Sequence, residues 1–254
     1  MIDGTAANDE DDSEDDYDAV YDAVYSIFTT LQHAAITNPQ YQTPIIKILH
    51  ALKCLPPQTV HAPTLRKHVN PGPQLVQWAE LPYFTPQITD RYEHTKVQFD
   101  KCPPEHATEW ASINAWIARL VVTDLYGPKG LDYYMHRASY NFLYVLDVRG
   151  HANFEAALPA AANLFRYASS VVWRMCQEEI ECPGPAIGIF SNTVVEREGK
   201  DVEVLFGGLG YSMERWEWWT KQWGQLAAAD DLEEDGRRNA REALEAMQEA
   251  EKSS

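Results

Sequence analysis

Apolar residues recur along most of this chain at steps of three and four, the period of a helix with one buried face. Tyr17, Val20, Tyr21, Val24, Phe28, Leu31 and Ala35 form the first such stripe. It predicts a helix from about Ser13, a cap residue, to Thr37, before Asn38-Pro39. Thr43-Pro44 reads as an N-cap followed by proline in the first turn, opening a second helix on Ile45, Ile46, Leu49 and Leu52 that Pro56-Pro57 stop. Residues 56–75 are proline-rich and predict an irregular connection. Trp78, Leu81 and Phe84 make an apolar knot, and Thr85-Pro86 opens a third helix to about His94.

The fourth helix has the clearest pattern. Pro103-Pro104 start it, Gly127-Pro128 end it, and Trp110, Ile113, Asn114, Ile117, Leu120, Val121 and Leu125 give it a broad face. A fifth spans about 131–146. A sixth spans about 154–176, with Pro159 either near its true first turn or kinking it. Its alanines at 156, 157, 160, 161 and 162 allow a neighbouring helix to come close. Ser212 caps a seventh, with Trp216, Trp219, Trp223 and Leu226 on one face. An eighth, 232–252, is highly charged with a thin stripe of Ala240, Leu244 and Met247, and reads as a surface helix.

The period changes only between 181 and 210. There β-rich runs, Thr193-Val194-Val195 and Val202 to Phe206, flank Glu198-Gly199-Lys200-Asp201. This predicts a small β-hairpin near 193–206. The expected fold is all-α: a single multi-helix domain of about eight helices with that one hairpin insertion. The expected organisation is a disordered acidic tail over 1–12, a helical domain over 13–229, and an acidic surface helix and tail over 230–254.

Charge narrows the function. The 254 residues carry a formal −17. Residues 1–22 hold ten acids and no Lys or Arg, residues 230–254 contribute −5, and the remainder carries only −2. Acidic ends and a neutral middle offer no basic stripe, so nucleic acid is not an expected partner. No run approaches the roughly 18 apolar residues of a membrane span, so no membrane is expected either. The start lacks the basic and apolar regions of a signal peptide, and the four cysteines, Cys54, Cys102, Cys176 and Cys182, are scattered. A cytoplasmic protein with reduced thiols is expected, a nuclear one being the variant of that reading.

Few residues suggest chemistry. Asp11, Asp12 and Asp15 match the D-D-x-x-D pattern with which terpene synthases hold Mg²⁺ on a diphosphate. They lie in an acidic tail, where such spacings arise by chance, and no second Mg²⁺ motif accompanies them, so no metal is expected. No cofactor motif is present either: the glycines at 207, 208 and 210 lack the strand and downstream acid of a dinucleotide site. Asp132 with His136, and His106 with Glu109, have helical pair spacing, which more often marks a salt bridge than a general base. Asn114 sits on an apolar face, where a buried amide requires partners.

Four segments in this order resemble an uncharacterised all-helical fungal family, the domain of unknown function numbered thirty-six thirty-two. They are Trp78-Ala79-Glu80-Leu81-Pro82; Glu109-Trp110 with Asn114 through Leu120; Ala157-Leu158-Pro159-Ala160-Ala161-Ala162; and Gly210-Tyr211-Ser212-Met213-Glu214-Arg215-Trp216 with Trp218-Trp219. The resemblance covers residues 17–250 and departs from the family mainly at 183–209. It implies a fungal source and a helical fold, and no activity or catalytic residue. The Trp-centred segments define a candidate pocket of Trp78, Trp110, Asn114, Arg215 and Trp216, with Arg119 nearby in sequence. Two readings follow: a non-catalytic interaction or regulatory protein with an unknown protein partner, or a small-molecule-binding protein or enzyme of fungal specialised metabolism that takes a small apolar ligand in an aromatic pocket.

Overall fold

The computed structural model describes residues 12–60, 74–76, 78–82, 84–101, 103–123, 125, 135, 140–149, 153–180, 203–204 and 210–253. The architecture is all-helical. In chain order the helices are α1 (Asp12–Thr37), α2 (Gln42–Lys53), α3 (Phe84–Lys101), α4 (Pro103–Val121), the short α5 (Tyr140–Phe142), α6 (Phe154–Gln177), α7 (Met213–Ala227) and α8 (Glu234–Lys252). Among the described residues none is long and apolar enough to cross a membrane.

The centre is α4 against α6. In its last three turns α4 is buried almost all round: Ile113, Asn114, Ala115, Trp116, Ile117, Ala118, Leu120 and Val121 are all internal. A helix with no polar face must be enclosed by neighbours. On α6, Ala157, Ala160, Ala161 and Ala162 are buried, and small side chains there let the two backbones approach. α3 covers one flank of α4, with Tyr92 and Phe99 on Trp110 at ring distances of 5.0 and 5.4 Å. α1 closes the same end through Phe28, edge-on to Phe84 at 5.4 Å. α7 and α8 pack on the far side of α6, and α8 buries Ala240, Ala243, Met247 and Ala250 there.

Several local expectations change. α2 begins at Gln42 rather than after Thr43, because the 3-10 turn Pro39–Tyr41 runs straight into it. The Gln42 amide holds that corner, donating to the carbonyls of Ala35 at 3.2 Å and Ser112 at 3.1 Å. α3 runs seven residues past His94, since Phe99 gains a stacking partner in Trp110 that no local pattern reveals. Pro159 lies inside α6 instead of at its first turn. The non-helical residue of α6 is Ala168 (φ −129°, ψ 16°), nine positions on. There the Ser169 hydroxyl donates back to the Phe165 carbonyl, a competing bond that bends helices. Of the fifth predicted helix, the structure describes Met135 and Tyr140–Phe142, which continues as a π-helical turn, Leu143–Asp147. Before α3, Leu81 adopts a left-handed φ of 46° while only 1 % exposed. For a bulky side chain that backbone is costly and persists only where packing over-determines it.

The hairpin expected near 193–206 is not supported. Residues 193–202 lie outside the described residues. Glu203–Val204 instead pairs antiparallel with Val148–Arg149, more than fifty positions earlier in the chain. The proline-rich connection also contains order: Gln58–Val60 pairs antiparallel with Gln74–Val76. Both pairings depend on a partner remote in sequence, which a reading of local propensity cannot supply.

Candidate functional site

Three of the five candidate residues, Trp110, Asn114 and Arg215, belong to two buried polar clusters that meet on one segment, α5 and the π-turn after it. The first cluster is neutral. Asn114, 0 % exposed on α4, donates through Nδ2 to the Trp110 carbonyl at 2.8 Å. Its Oδ1 accepts from Asn141 Nδ2 on α5 at 2.7 Å. The circuit closes as the Trp110 indole N–H donates to Asn141 Oδ1 at 2.9 Å. Each amide thereby has both an acceptor and a donor engaged, which is what a buried amide requires.

The second cluster is ionic. Asp147 ends the π-turn and is 0 % exposed; Arg215, in the first turn of α7, is 1 % exposed. One guanidinium nitrogen of Arg215 donates to Asp147 Oδ2, and Nη1 donates to the Gly210 carbonyl at 2.8 Å. The Trp219 indole donates to Asp147 Oδ1 at 3.1 Å, and its ring lies 5.0 Å from the guanidinium carbon. The Trp218 indole donates to the Leu146 carbonyl at 3.0 Å. Burial holds the Asp147 carboxyl above its ordinary value, against the opposing charge and hydrogen bonds of Arg215 and the bond from Trp219.

Local sequence explains where α7 begins. Ser212 is extended (φ −148°, ψ 160°) and its hydroxyl accepts from the Arg215 backbone N–H at 3.1 Å, an N-cap as expected. The cap fixes the first turn and so aims Arg215 at the π-turn. A π-turn inserts an extra residue into a helix; here the widened turn ends on Asp147, level with both Arg215 and Trp219. Around the pair the rings are in mutual contact: Phe142 to Phe165 at 4.6 Å, Phe142 to Trp219 at 4.8 Å, Phe165 to Trp219 at 5.5 Å and Trp173 to Trp216 at 5.0 Å.

The structure brings Trp110 and Asn114 together, and sets Arg215 and Trp216 side by side on α7. Asn141 and Asp147, six positions apart, connect the two groups. The Trp216 indole donates to Glu251 of α8 at 2.6 Å. Trp78 is half-buried on a 3-10 turn that packs against α2. Arg119 stacks on Tyr167, 3.8 Å from the ring centroid, and reaches Thr43 at 3.4 Å. Glu109 pairs with Arg91 of α3. Asp132 and His136 lie outside the described residues, as do Asp11 and the side chains of Asp12 and Asp15. Among the described residues no group of three or more His, Cys, Asp or Glu is arranged to hold a metal.

Asn141 and Asp147 were not singled out from the sequence. The available signal was two polar residues framing an apolar run, Phe142 to Leu146, and it matches what any helix boundary shows. Among the described residues, surface clefts lie elsewhere. One of about 250 Å³ between α1 and α3 is lined by Tyr25, Thr29, Gln32, His33, Gln87, Asp90 and Arg91. Another of about 560 Å³ lies where α4 and α6 begin, bordered by Pro103, Pro104, Ala107 and residues 153–156.

A family model described as "Protein of unknown function (DUF3632)" matches residues 22–223. No curated protein and no solved structure matches the chain.

Proposed function

The chain belongs to the DUF3632 family of proteins of unknown function, and from that premise we propose that it is a non-catalytic interaction or regulatory protein. One observation carries the reading. Among the described residues, the buried polar side chains Asn114, Asn141, Asp147 and Arg215 are at most 1 % exposed and hydrogen-bonded to one another or to the backbone. Groups committed this way orient helices. A catalytic acid, base or anion clamp must instead keep a free position facing substrate. The reading includes a cytoplasmic protein of fungal origin. The exposed thiol of Cys54 suits a reducing compartment, and the sequence resemblance is to fungal proteins.

The test is native mass spectrometry of the full chain purified without denaturation. The expected result is the bare polypeptide mass of 28.9 kDa. A stoichiometric additional small molecule that is lost on unfolding would overturn the proposal in favour of a ligand-binding protein or enzyme.

A further inference from the structure

Surface helices normally turn a polar face to water. α8 does so: its outer side carries Arg237 and Arg241 paired with Glu234, and Arg238 paired with Asp235. α2 does not. Its inner side is occupied by Gln42, Ile45 and Leu49. Its outer side, with the residues flanking each end, presents Tyr41, Pro44, Ile48, Ala51 and Leu55, all exposed. Tyr41 is 48 % exposed, Ile48 45 % and Leu55 43 %.

The spacing of these five positions is three, four, three, four. Pro44, Ile48 and Ala51 fall on α2 itself, while Tyr41 in the preceding 3-10 turn and Leu55 just past the helix end continue the spacing, which is that of the a/d seam with which one helix seats another. The stripe exceeds what core packing needs, because the core side of α2 is already satisfied by other residues. The ionisable residues on α2 itself are all basic. Within Gln42–Lys53 the ionisable residues are Lys47, His50 and Lys53, and there is no acid, although the chain as a whole is strongly acidic. Lys53 is turned inward to the Leu125 carbonyl at 2.7 Å. Lys47 and His50 are exposed beside the stripe.

We propose that the outer face of α2 is a docking surface for an acidic amphipathic helix of a partner protein, its apolar residues seated between Tyr41 and Leu55 and its carboxylates facing Lys47 and His50. This rests on the interaction reading above and names where the partner binds and of what chemistry. A second copy of α2 fits less well, since pairing α2 with itself sets Lys47 and His50 against their own kind. An anionic membrane is disfavoured by the charge of −17 on the whole chain.

The test uses the full chain and two synthetic helical peptides with the same leucine heptads, one flanked by Glu and one by Lys. Fluorescence anisotropy of labelled peptide should show the Glu-flanked peptide binding at least about tenfold more tightly than the Lys-flanked one. Ile48→Glu should weaken that binding by at least about tenfold while leaving the melting temperature within about 2 °C. Lys47→Glu should narrow the preference between the peptides. Equal affinities, no binding of either peptide, or binding indifferent to Ile48→Glu would overturn the proposal. So would sedimentation velocity showing self-association that Ile48→Glu abolishes, or flotation of the chain with phosphatidylserine vesicles. The mass-spectrometric result is independent: a bare chain that binds neither peptide sinks the docking surface alone, and a stoichiometric bound small molecule sinks the interaction reading itself.

Discussion

The segment Tyr140–Asp147 and the helix α2 invert the usual division between inside and outside. The first places an amide and a carboxylate in the middle of the protein, at 0 % exposure. The second leaves Ile48, and Leu55 just past its end, nearly half exposed. Both depart from the rule that apolar groups go in and polar groups stay out, yet by different physics. A buried polar group is tolerable only with its hydrogen bonds made, because an unpaired one retains its full desolvation cost. An exposed apolar group carries a mild cost that a second molecule can remove. The inner departure is therefore closed within the chain, and the outer one is open to a partner.

The two buried clusters differ in turn. The Trp110–Asn114–Asn141 circuit is neutral. The Asp147–Arg215 pair holds two charges out of water and has to be offset by mutual attraction, the Trp219 indole and the Gly210 carbonyl. Breaking it by removing one partner should have the largest effect. Asp147→Ala leaves Arg215 charged and enclosed, and should lower stability by about 3–5 kcal/mol in denaturant unfolding. A loss below about 1 kcal/mol would mean that water reaches Arg215 readily.

Asn114→Ala is the neutral counterpart. It leaves Asn141 Nδ2 without its acceptor and should cost about 1–3 kcal/mol, less than the ionic break. If the two losses are equal, the distinction between the clusters fails.

Acid pH sharpens the same contrast. The folded-state pKa of Asp147 is raised, chiefly by burial. Between its ordinary value in the unfolded chain and the raised folded value, the folded protein holds a proton that the unfolded chain lacks. This contribution to stability is complete below that window and is lost as pH rises through the folded value. Asp147→Asn removes it. The melting temperature of the wild type relative to Asp147→Asn should therefore climb as pH falls through the window. Relative to Asn114→Ala it should stay flat. Parallel curves for both variants would show that Asp147 does not titrate there.

The smallest effect belongs to the outer departure. Ile48→Gln should change stability by no more than about 0.5 kcal/mol, because the side chain already faces water. A larger loss would mean that Ile48 is covered within the chain, and the contrast with Tyr140–Asp147 would disappear.

Much of the helical layout was legible in the sequence. Trp110, Ile113, Ile117 and Leu120 repeat at helical spacing within one stretch of chain, and Ser212 caps α7 through a hydroxyl three residues from its donor. Of the candidate site, Trp110, Asn114 and Arg215 could be named as unusual, but not what they touch. Asn141 and Asp147 could not be named at all, since a polar residue beside an apolar run looks the same whether it ends a helix or enters the core.

The sequence by itself determined which stretches become helices and which face of each is apolar, because periodicity, proline placement and capping act over a few residues. Only the tertiary structure decided the partners. Asn114 finds Asn141 across 27 positions and Asp147 finds Arg215 across 68; Val204 finds Val148, more than fifty positions earlier. It also decided which elements cover the face of Ile45 and Leu49 that the helical period had marked. That choice was made by where α1 and α4 lie against α2, and burial is a property of the packed arrangement, not of the residue.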